Sequence, residues 1–189
     1  MLTFDPATHA YTFAGKRVAS VTQILADVGM IDSRWFTEGA ALRGTYVAQA
    51  VAWDMRDELD YDTLDEELKP YVDAAREFRA KVNFVPRLIE HPVYCEAWNY
   101  AGMLDVAGSF GGSDHNVESL IDWKCGVHAH WHPLQTKAYA IALGRVVVRA
   151  SVLLRPDGTF RYIEHRQEHD DERLWLACVQ VFHAKARQT

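Results

Sequence analysis

Three side chains in this sequence have types and spacing that suit metal-assisted hydrolysis: Asp105, Asp122 and Lys124. Asp105 lies in the mostly apolar run 101–107, and the other two lie in a second such run, 118–124, as is typical of buried strands. Side chains alternate between the faces of a strand, so Asp122 and Lys124 point the same way. Glycines and polar residues between the runs indicate a turn. An antiparallel pair joined there would bring both carboxylates beside the ammonium group.

Such a cluster suits Mg²⁺ or Mn²⁺, which prefer hard oxygen ligands and keep several waters. Asp105 and Asp122 would bind the cation, and the main-chain carbonyl of Trp123 is a further candidate ligand. A bound cation lowers the pKa of a water and offsets charge on a phosphate. Lys124 would assist that water or stabilise the transition state. A purely structural Asp122–Lys124 ion pair would also satisfy the need to pair a buried charge, so that alternative stays open.

A second feature is the pair Gln135 and Tyr139, which lie four residues apart and share one face of a predicted helix over 132–142. Pro133 suits the first turn of that helix. One interpretation is that both side chains lean over the metal site and contact a substrate. The other is a polar helix edge beside a packed aromatic ring.

Several short motifs in this order resemble the PD-(D/E)XK nuclease superfamily, in its RecB-like branch, as found in phage exonucleases and mitochondrial genome-maintenance exonucleases. The motifs are Ser20-Val21-Thr22-Gln23-Ile24-Leu25, Arg43-Gly44-Thr45, Glu90, Gly102-Met103-Leu104-Asp105, Ile121-Asp122-Trp123-Lys124-Cys125-Gly126 and Gln135-x-x-x-Tyr139. The resemblance implies an α/β fold with a restriction-endonuclease-like core, a mixed central sheet flanked by helices, and an N-terminal helical wall.

The resemblance also implies roles for single residues. Glu90 is the expected further metal ligand and active-site member, with Glu96 as the fallback. Ser20, Thr22 and Arg43 are expected to contact nucleic acid. In the resembling exonucleases the N-terminal helices form a passage for a single strand, where Trp35, Phe36 and Tyr46 could stack on bases, although such aromatics are more often core. Lys137 is a second candidate for phosphate.

The chain departs from the family pattern at two positions. Ala48 stands where the pattern usually has a histidine that can bind metal, and Cys125 stands where it usually has threonine. The nearby His128, His130 and His132 could replace the missing imidazole, but a polar loop before the helix is the simpler explanation.

The resulting hypothesis is a Mg²⁺- or Mn²⁺-dependent deoxyribonuclease, an exonuclease acting on single-stranded DNA or duplex ends. It would serve phage or prophage recombination or DNA processing in the bacterial cytoplasm, with a possible recombination or replication partner protein. One alternative is an endonuclease on the same fold. The other is a catalytically impaired nucleic-acid-binding or assembly protein, which Ala48 favours.

Composition sets further limits. The 189 residues predict one nuclease domain, 1–189, with a hairpin and helical part at 1–85 and a catalytic core with a C-terminal helix at 86–189. Three scattered cysteines match no zinc or iron–sulphur spacing and suit a reducing compartment. We expect neither a signal peptide nor a membrane partner. The net charge of −6 is unusual for a DNA-binding protein, but without the acidic stretch 54–67 the balance is near neutral.

Overall fold

Eight strands form one mixed sheet in the computed structural model, which describes residues 1–32, 38–111, 117–145 and 147–187. The strands are β1 (Leu2–Asp5), β2 (Ala10–Phe13), β3 (Lys16–Ser20), β4 (Phe84–Cys95), β5 (Tyr100–Phe110), β6 (Val117–Cys125), β7 (Val148–Leu154) and β8 (Phe160–Glu164). The α-helices are α1 (Val21–Asp27), α2 (Glu38–Met55), α3 (Lys69–Lys81), α4 (His132–Leu143) and α5 (Glu168–Ala186), and a 3₁₀ turn covers Tyr61–Thr63.

The strand order is β1-β2-β3-β5-β6-β7-β8, and β4 pairs with the other edge of β5. The pairs β3–β5 and β6–β7 are parallel, and the remaining pairs are antiparallel. The prediction of an α/β fold with a mixed central sheet flanked by helices is therefore confirmed. The N-terminal strands extend the same sheet as the strands of the predicted catalytic core.

Local sequence explains where several elements begin and end. Ser20 caps α1 through a capping box, in which its Oγ accepts the Gln23 N–H and the Gln23 side chain accepts the Ser20 N–H. Pro133 lies in the first turn of α4, and Gly144 ends that helix with a left-handed φ of 64°. The helix α2 ends at Met55.

Helices cover the sheet on both faces. One apolar cluster joins α2 and α3 to the sheet through Val51, Phe78 and Trp123. A second joins α1, α4 and α5 to the opposite face and includes Leu104 and Trp175. The helices α2 and α3 of the first cluster correspond to the N-terminal helical wall that the resemblance implied. None of the helices in the described ranges is long and apolar enough to span a membrane.

The regular alternation of strand faces is interrupted in β4 and β5. Ile89 and Val106 contribute to the cluster under α2 and α3, whereas Val93 and Leu104 contribute to the opposite cluster. Residues an even number of positions apart should share a face in a regular strand. The interruption in β4 includes Glu90, which has a left-handed φ of 46°. It therefore falls at the level of the predicted site.

A fully buried arginine, Arg149, joins β7 to the start of α4 and the start of α5. Its Nε and Nη2 donate to Glu168 and Asp171, each at 2.7 Å, and its Nη1 donates to the Pro133 carbonyl at 2.7 Å. Five guanidinium donors in a fixed fork allow one side chain to hold three segments. Arg149 thus fixes the frame that carries β7 and α4 beside β6.

Replacing Arg149 should destabilise the protein, because Arg149→Met leaves Asp171 and the Pro133 carbonyl without their partner. We expect the free energy of unfolding to fall by about 3 kcal/mol in urea titrations. Arg166→Met is the matched control, since Arg166 is exposed and pairs with Glu164 at the surface, and it should change stability by less than about 1 kcal/mol. Equal effects of the two substitutions would contradict this role for Arg149.

Candidate active site

The predicted site lies in a gap where β5 and β6 separate. Their antiparallel ladder ends at the pair Val106–Ile121, so Asp105 and Asp122 come next on the two strands. Instead of continuing the ladder, the Asp105 Oδ2 accepts the main-chain N–H of Trp123 at 2.7 Å. The carboxylate therefore satisfies a strand N–H that would otherwise be unpaired in the gap. The structure brings the two predicted aspartates to the same place.

Asp122 is almost completely buried, with 1% of its surface exposed. Its Oδ2 pairs with Lys124 Nζ at 2.9 Å and lies 3.5 Å from the Ser151 hydroxyl. Its Oδ1 is buried and has no hydrogen-bond partner among the described residues. A buried carboxylate oxygen without a donor is costly, so this atom is suited to a ligand.

The electrostatics of the gap favour a cation. Loss of water is the largest effect on Asp105 and raises its pKa well above the ordinary value, and the Asp122 carboxylate raises it further. Burial likewise raises the pKa of Asp122, against the opposing effect of Lys124. Two carboxylates at one buried site cannot both be ionised cheaply unless positive charge lies beside them. Lys124 supplies one such charge.

Gln135 and Tyr139 lie on one face of α4, as predicted, and form a chain to the lysine. The Lys124 Nζ donates to Gln135 Oε1 at 2.9 Å, and Gln135 Nε2 donates to the Tyr139 hydroxyl at 3.0 Å. Burial raises the pKa of Tyr139, so the phenol stays neutral. Both α4 side chains are buried, and their described contacts hold the lysine in place.

The Tyr139 ring requires Gly102 on β5. A Cβ at position 102 would overlap the ring edge of Tyr139. Packing therefore explains the glycine of the Gly-Met-Leu-Asp motif, because the absence of a side chain at position 102 lets α4 approach the strand that carries Asp105.

Glu90 lies at the same level of the sheet as the aspartates. The β4–β5 register pairs Ile89 with Val106 and His91 with Leu104, which places Glu90 across from Asp105. Burial raises the pKa of Glu90 to about 7, and the Arg56 charge opposes that shift. Arg56 Nη2 donates to the Ile89 carbonyl at 2.8 Å, so this cation is fixed beside Glu90.

The side chains at this site can be compared with the ligands that the expected Mg²⁺ or Mn²⁺ would need. In the described part of the chain, no three or more histidine, cysteine, aspartate or glutamate side chains converge so as to hold a metal ion. Glu90 therefore does not converge with Asp105 and Asp122 into such a group. The unpartnered Oδ1 of Asp122, with Asp105 beside it, nevertheless fits the oxygen chemistry of a hard divalent cation.

The three histidines after β6 differ in their surroundings. His132 is buried, and its Nδ1 accepts the Ala129 N–H at 3.3 Å. His128 is exposed, and its ring lies 5.3 Å from that of His132 and 5.8 Å from that of His165. His130 is exposed. None of them forms part of a convergent ligand group in the residues that the structure describes.

The candidates for nucleic-acid contact are dispersed. Arg43 is exposed on α2. Burial raises the pKa of Cys125, which follows Lys124, to about 11, and the charge of Arg43 opposes that shift. Thr22 is exposed, whereas Ser20 is buried in its capping role. Tyr46 is 48% exposed on α2. Trp35 and Phe36 lie outside the described residues.

The contacts of Lys137 argue against its expected role in binding phosphate. Lys137 is buried, and its Nζ pairs with Glu168 and Glu172 on α5, each at 2.9 Å. Its charge is already balanced inside the protein, so we do not include it in a phosphate-binding surface. The expectation failed because the two acidic partners lie more than 30 residues further along the sequence, beyond the reach of a local pattern.

Two residues near Asp122 escaped the sequence analysis, namely Ser151 and His165. Ser151 is the register partner of Asp122 on β7, and its hydroxyl lies 3.0 Å from His165 Nε2. The available signal was a small polar residue inside the apolar run 146–154. That signal acquires meaning only when the parallel pairing of β6 and β7 is known.

Comparison with protein-family models and with curated proteins found no match to this sequence. Among solved structures, the chain is similar to the crystal structure of a protein described as a candidate exonuclease from Eubacterium rectale. The two are 12% identical, the similarity covers 87% of this chain and 74% of that one, and the TM-score is 0.46.

Gly102→Ala should destabilise the protein, because the added methyl group displaces the Tyr139 ring from its place on β5. We expect the free energy of unfolding to fall by about 1–3 kcal/mol in urea titrations. Gly39→Ala on α2 is the control, because nothing lies within 4 Å of an added Cβ there, and stability should be unchanged or rise by up to about 1 kcal/mol. A neutral Gly102→Ala variant would contradict the packing argument.

His132 should make the protein less stable in acid. Burial, followed by the charge of Lys124, lowers the pKa of His132 to about 2. The neutral ring's contribution is therefore present above the ordinary pKa of 6.5 and is lost as the pH falls below it. Between about pH 7.5 and pH 5 this group should cost about 2 kcal/mol of unfolding free energy.

His132→Asn can still accept the Ala129 N–H and has no charge to gain, so it should remove that part of the pH dependence. Urea unfolding at the two pH values measures the difference. His169→Asn, at an exposed position on α5, is the control. A pH dependence that survives unchanged in His132→Asn would show that this ring does not titrate as described.

Proposed function

We propose that this protein is a divalent-metal-dependent deoxyribonuclease with a PD-(D/E)XK-type site on a restriction-endonuclease-like core. The observation that carries the proposal is the buried Oδ1 of Asp122, which has no hydrogen-bond partner among the described residues. A second carboxylate, Asp105, lies beside Asp122, and the other oxygen of Asp122 pairs with Lys124 Nζ. Carboxylate oxygens and one ammonium group in a gap of the sheet suit the hydrolysis of a phosphodiester.

Asp105 and Asp122 would hold Mg²⁺ or Mn²⁺, together with the Trp123 carbonyl. The Trp123 N–H faces Asp105, and the N–H and C=O of one residue in a strand point to the same edge, so the carbonyl also faces the gap. When bound, the cation would activate a water and neutralise charge on the phosphate. Glu90, which lies on β4 across from Asp105, would have to move towards the two aspartates to serve as the further ligand.

Lys124 supplies the fixed positive charge. Gln135 Oε1 and Asp122 Oδ2 both accept from its Nζ, each at 2.9 Å, so the ammonium group is held in one position before a substrate binds. A donor that is already oriented stabilises developing negative charge without a cost for reorganisation. The Gln135–Tyr139 pair thus acts through the lysine, as a positioning device for the reaction.

Part of the acidic stretch 54–67 is paired within the protein, so that part presents no free negative charge to a DNA substrate. Asp54 is buried and is held by Arg76 and Arg79 on α3. Glu66 pairs with Lys69 within the same stretch. Arg43 and the partly exposed Tyr46 on α2 are the residues we propose for DNA contact near the end of β6.

Within this class we favour an exonuclease on single-stranded DNA or duplex ends, in phage or prophage recombination or DNA processing, as the motif order implies. An endonuclease on the same fold would cut closed circular DNA, and an exonuclease would leave it intact. A non-catalytic binding protein is the second candidate, favoured by Ala48 and by the described side chains, which offer no third convergent ligand.

The direct test is degradation of linear single-stranded and duplex DNA with Mn²⁺, for the wild type, Lys124→Ala and Asp122→Asn. Removing the lysine should lower the rate by about 100-fold or more, because it removes oriented charge from the transition state. Asp122→Asn and chelation of the metal should abolish cleavage. Lys16→Ala, at an exposed position on β3, should leave the rate unchanged.

Thermal unfolding of each variant ensures that a lost rate is not a lost fold. Equal rates for the wild type and Lys124→Ala would exclude this mechanism. DNA binding without cleavage by the wild type, at any Mn²⁺ concentration, would favour the non-catalytic candidate.

A further inference from the structure

A row of four polar residues crosses four adjacent strands at the candidate site. The registers place Glu90 on β4 across from Asp105 on β5, Asp105 opposite Asp122 on β6, and Asp122 beside Ser151 on β7. Ser151 is completely buried in a strand whose neighbouring residues, Ala150 and Val152, belong to the apolar core. A buried hydroxyl must find partners, so its neighbours show what it does.

Two polar atoms lie beside the Ser151 hydroxyl, which has a single proton to donate. His165 Nε2 lies 3.0 Å from Oγ, and Asp122 Oδ2 lies 3.5 Å from it, at the outer limit for a hydrogen bond. If His165 Nε2 carries a proton, Nε2–H donates to Ser151 Oγ, and the Ser151 hydroxyl can then donate its own proton to Asp122 Oδ2. If the ring nitrogen is bare, the hydroxyl donates to it and Asp122 loses this contact.

His165 is held in place by its main chain as well as by its ring. Its N–H donates to the Arg149 carbonyl at 2.8 Å, and its carbonyl accepts from Arg149 Nη2 at 3.3 Å. Burial, with the nearby charges of Arg149, His128 and Lys124, lowers the pKa of His165 to about 4, and Glu168 opposes that shift. The ring is therefore neutral near pH 7 and carries one proton.

We propose that His165 and Ser151 are positioning residues for Asp122: His165 Nε2–H donates to Ser151 Oγ, and Ser151 donates to Asp122 Oδ2. A carboxylate is a stronger acceptor than a neutral imidazole, so the hydroxyl proton belongs on Asp122. With Lys124 and Ser151 both on Oδ2, the carboxylate cannot rotate freely and presents Oδ1 to the cation.

This inference rests on the proposed metal site but concerns different residues. Groups that orient a metal ligand typically change metal affinity by about 10–100-fold when they are removed. The relay therefore predicts a defect in metal binding that a purely structural histidine and serine would not cause. The defect should be repaired by any side chain that restores a donor at the Nε2 position.

The test is Mn²⁺ binding by electron paramagnetic resonance, which counts free Mn²⁺ without substrate, for the wild type and five variants. Ser151→Ala and His165→Leu should each raise the Mn²⁺ dissociation constant by about 10-fold or more. His165→Gln, whose amide N–H can replace Nε2–H, should bind close to wild type. Asp122→Asn should abolish binding at this site. His183→Gln should change nothing, because its Nε2 contacts the Trp98 carbonyl, outside the site.

The outcomes separate the two proposals. Loss of binding in Asp122→Asn, with wild-type affinity in Ser151→Ala and His165→Leu, would overturn the relay and leave the metal site standing. Equal defects in His165→Leu and His165→Gln would overturn the donor role of His165. Wild-type protein that binds no Mn²⁺, or binds it equally in Asp122→Asn, would overturn the metal site and the relay together. Should His165→Leu fail to fold, Ser151→Ala and His165→Gln decide the question.

Discussion

Negative charge in the gap between β5 and β6 is the constraint around which the rest of the site is arranged. Asp105 and Asp122 follow the last pair of a strand ladder, and the loss of water there raises the pKa of both. Such a pair needs a cation, and Lys124 supplies one while leaving one oxygen of Asp122 unpartnered. The site is therefore held in a state that a divalent ion would complete.

The surrounding fold can be understood as support for that gap. Where the ladder ends, the Asp105 carboxylate accepts the Trp123 N–H. The helix α4 can approach β5 closely because Gly102 leaves room for the Tyr139 ring. The same helix holds the lysine through Gln135. Arg149, on β7, donates to the Pro133 carbonyl and so fixes the start of α4 against β7. The strand β7 pairs with β6 in the register that places Ser151 beside Asp122.

Local patterns in the sequence were sufficient for the two strands that carry Asp105 and Asp122, for the shared face of Asp122 and Lys124, and for the helix that carries Gln135 and Tyr139. They were insufficient wherever the partner is distant in the chain. Ser151 meets Asp122 through a parallel pairing that requires the α4 crossover, and Lys137 meets acidic residues on α5. Glu90 lies at the level of the aspartates, but its left-handed backbone and its failure to converge with them are properties of the folded chain that no local pattern encodes.

The central claim is that the gap binds a divalent cation between Asp105 and Asp122. A crystal structure with Mn²⁺, recorded with anomalous scattering, tests it most directly. We expect a peak within about 2.0–2.3 Å of carboxylate oxygens from both aspartates, including Oδ1 of Asp122. A structure at saturating Mn²⁺ with no peak there, with Lys124 as the only cation beside Asp122, would contradict the account.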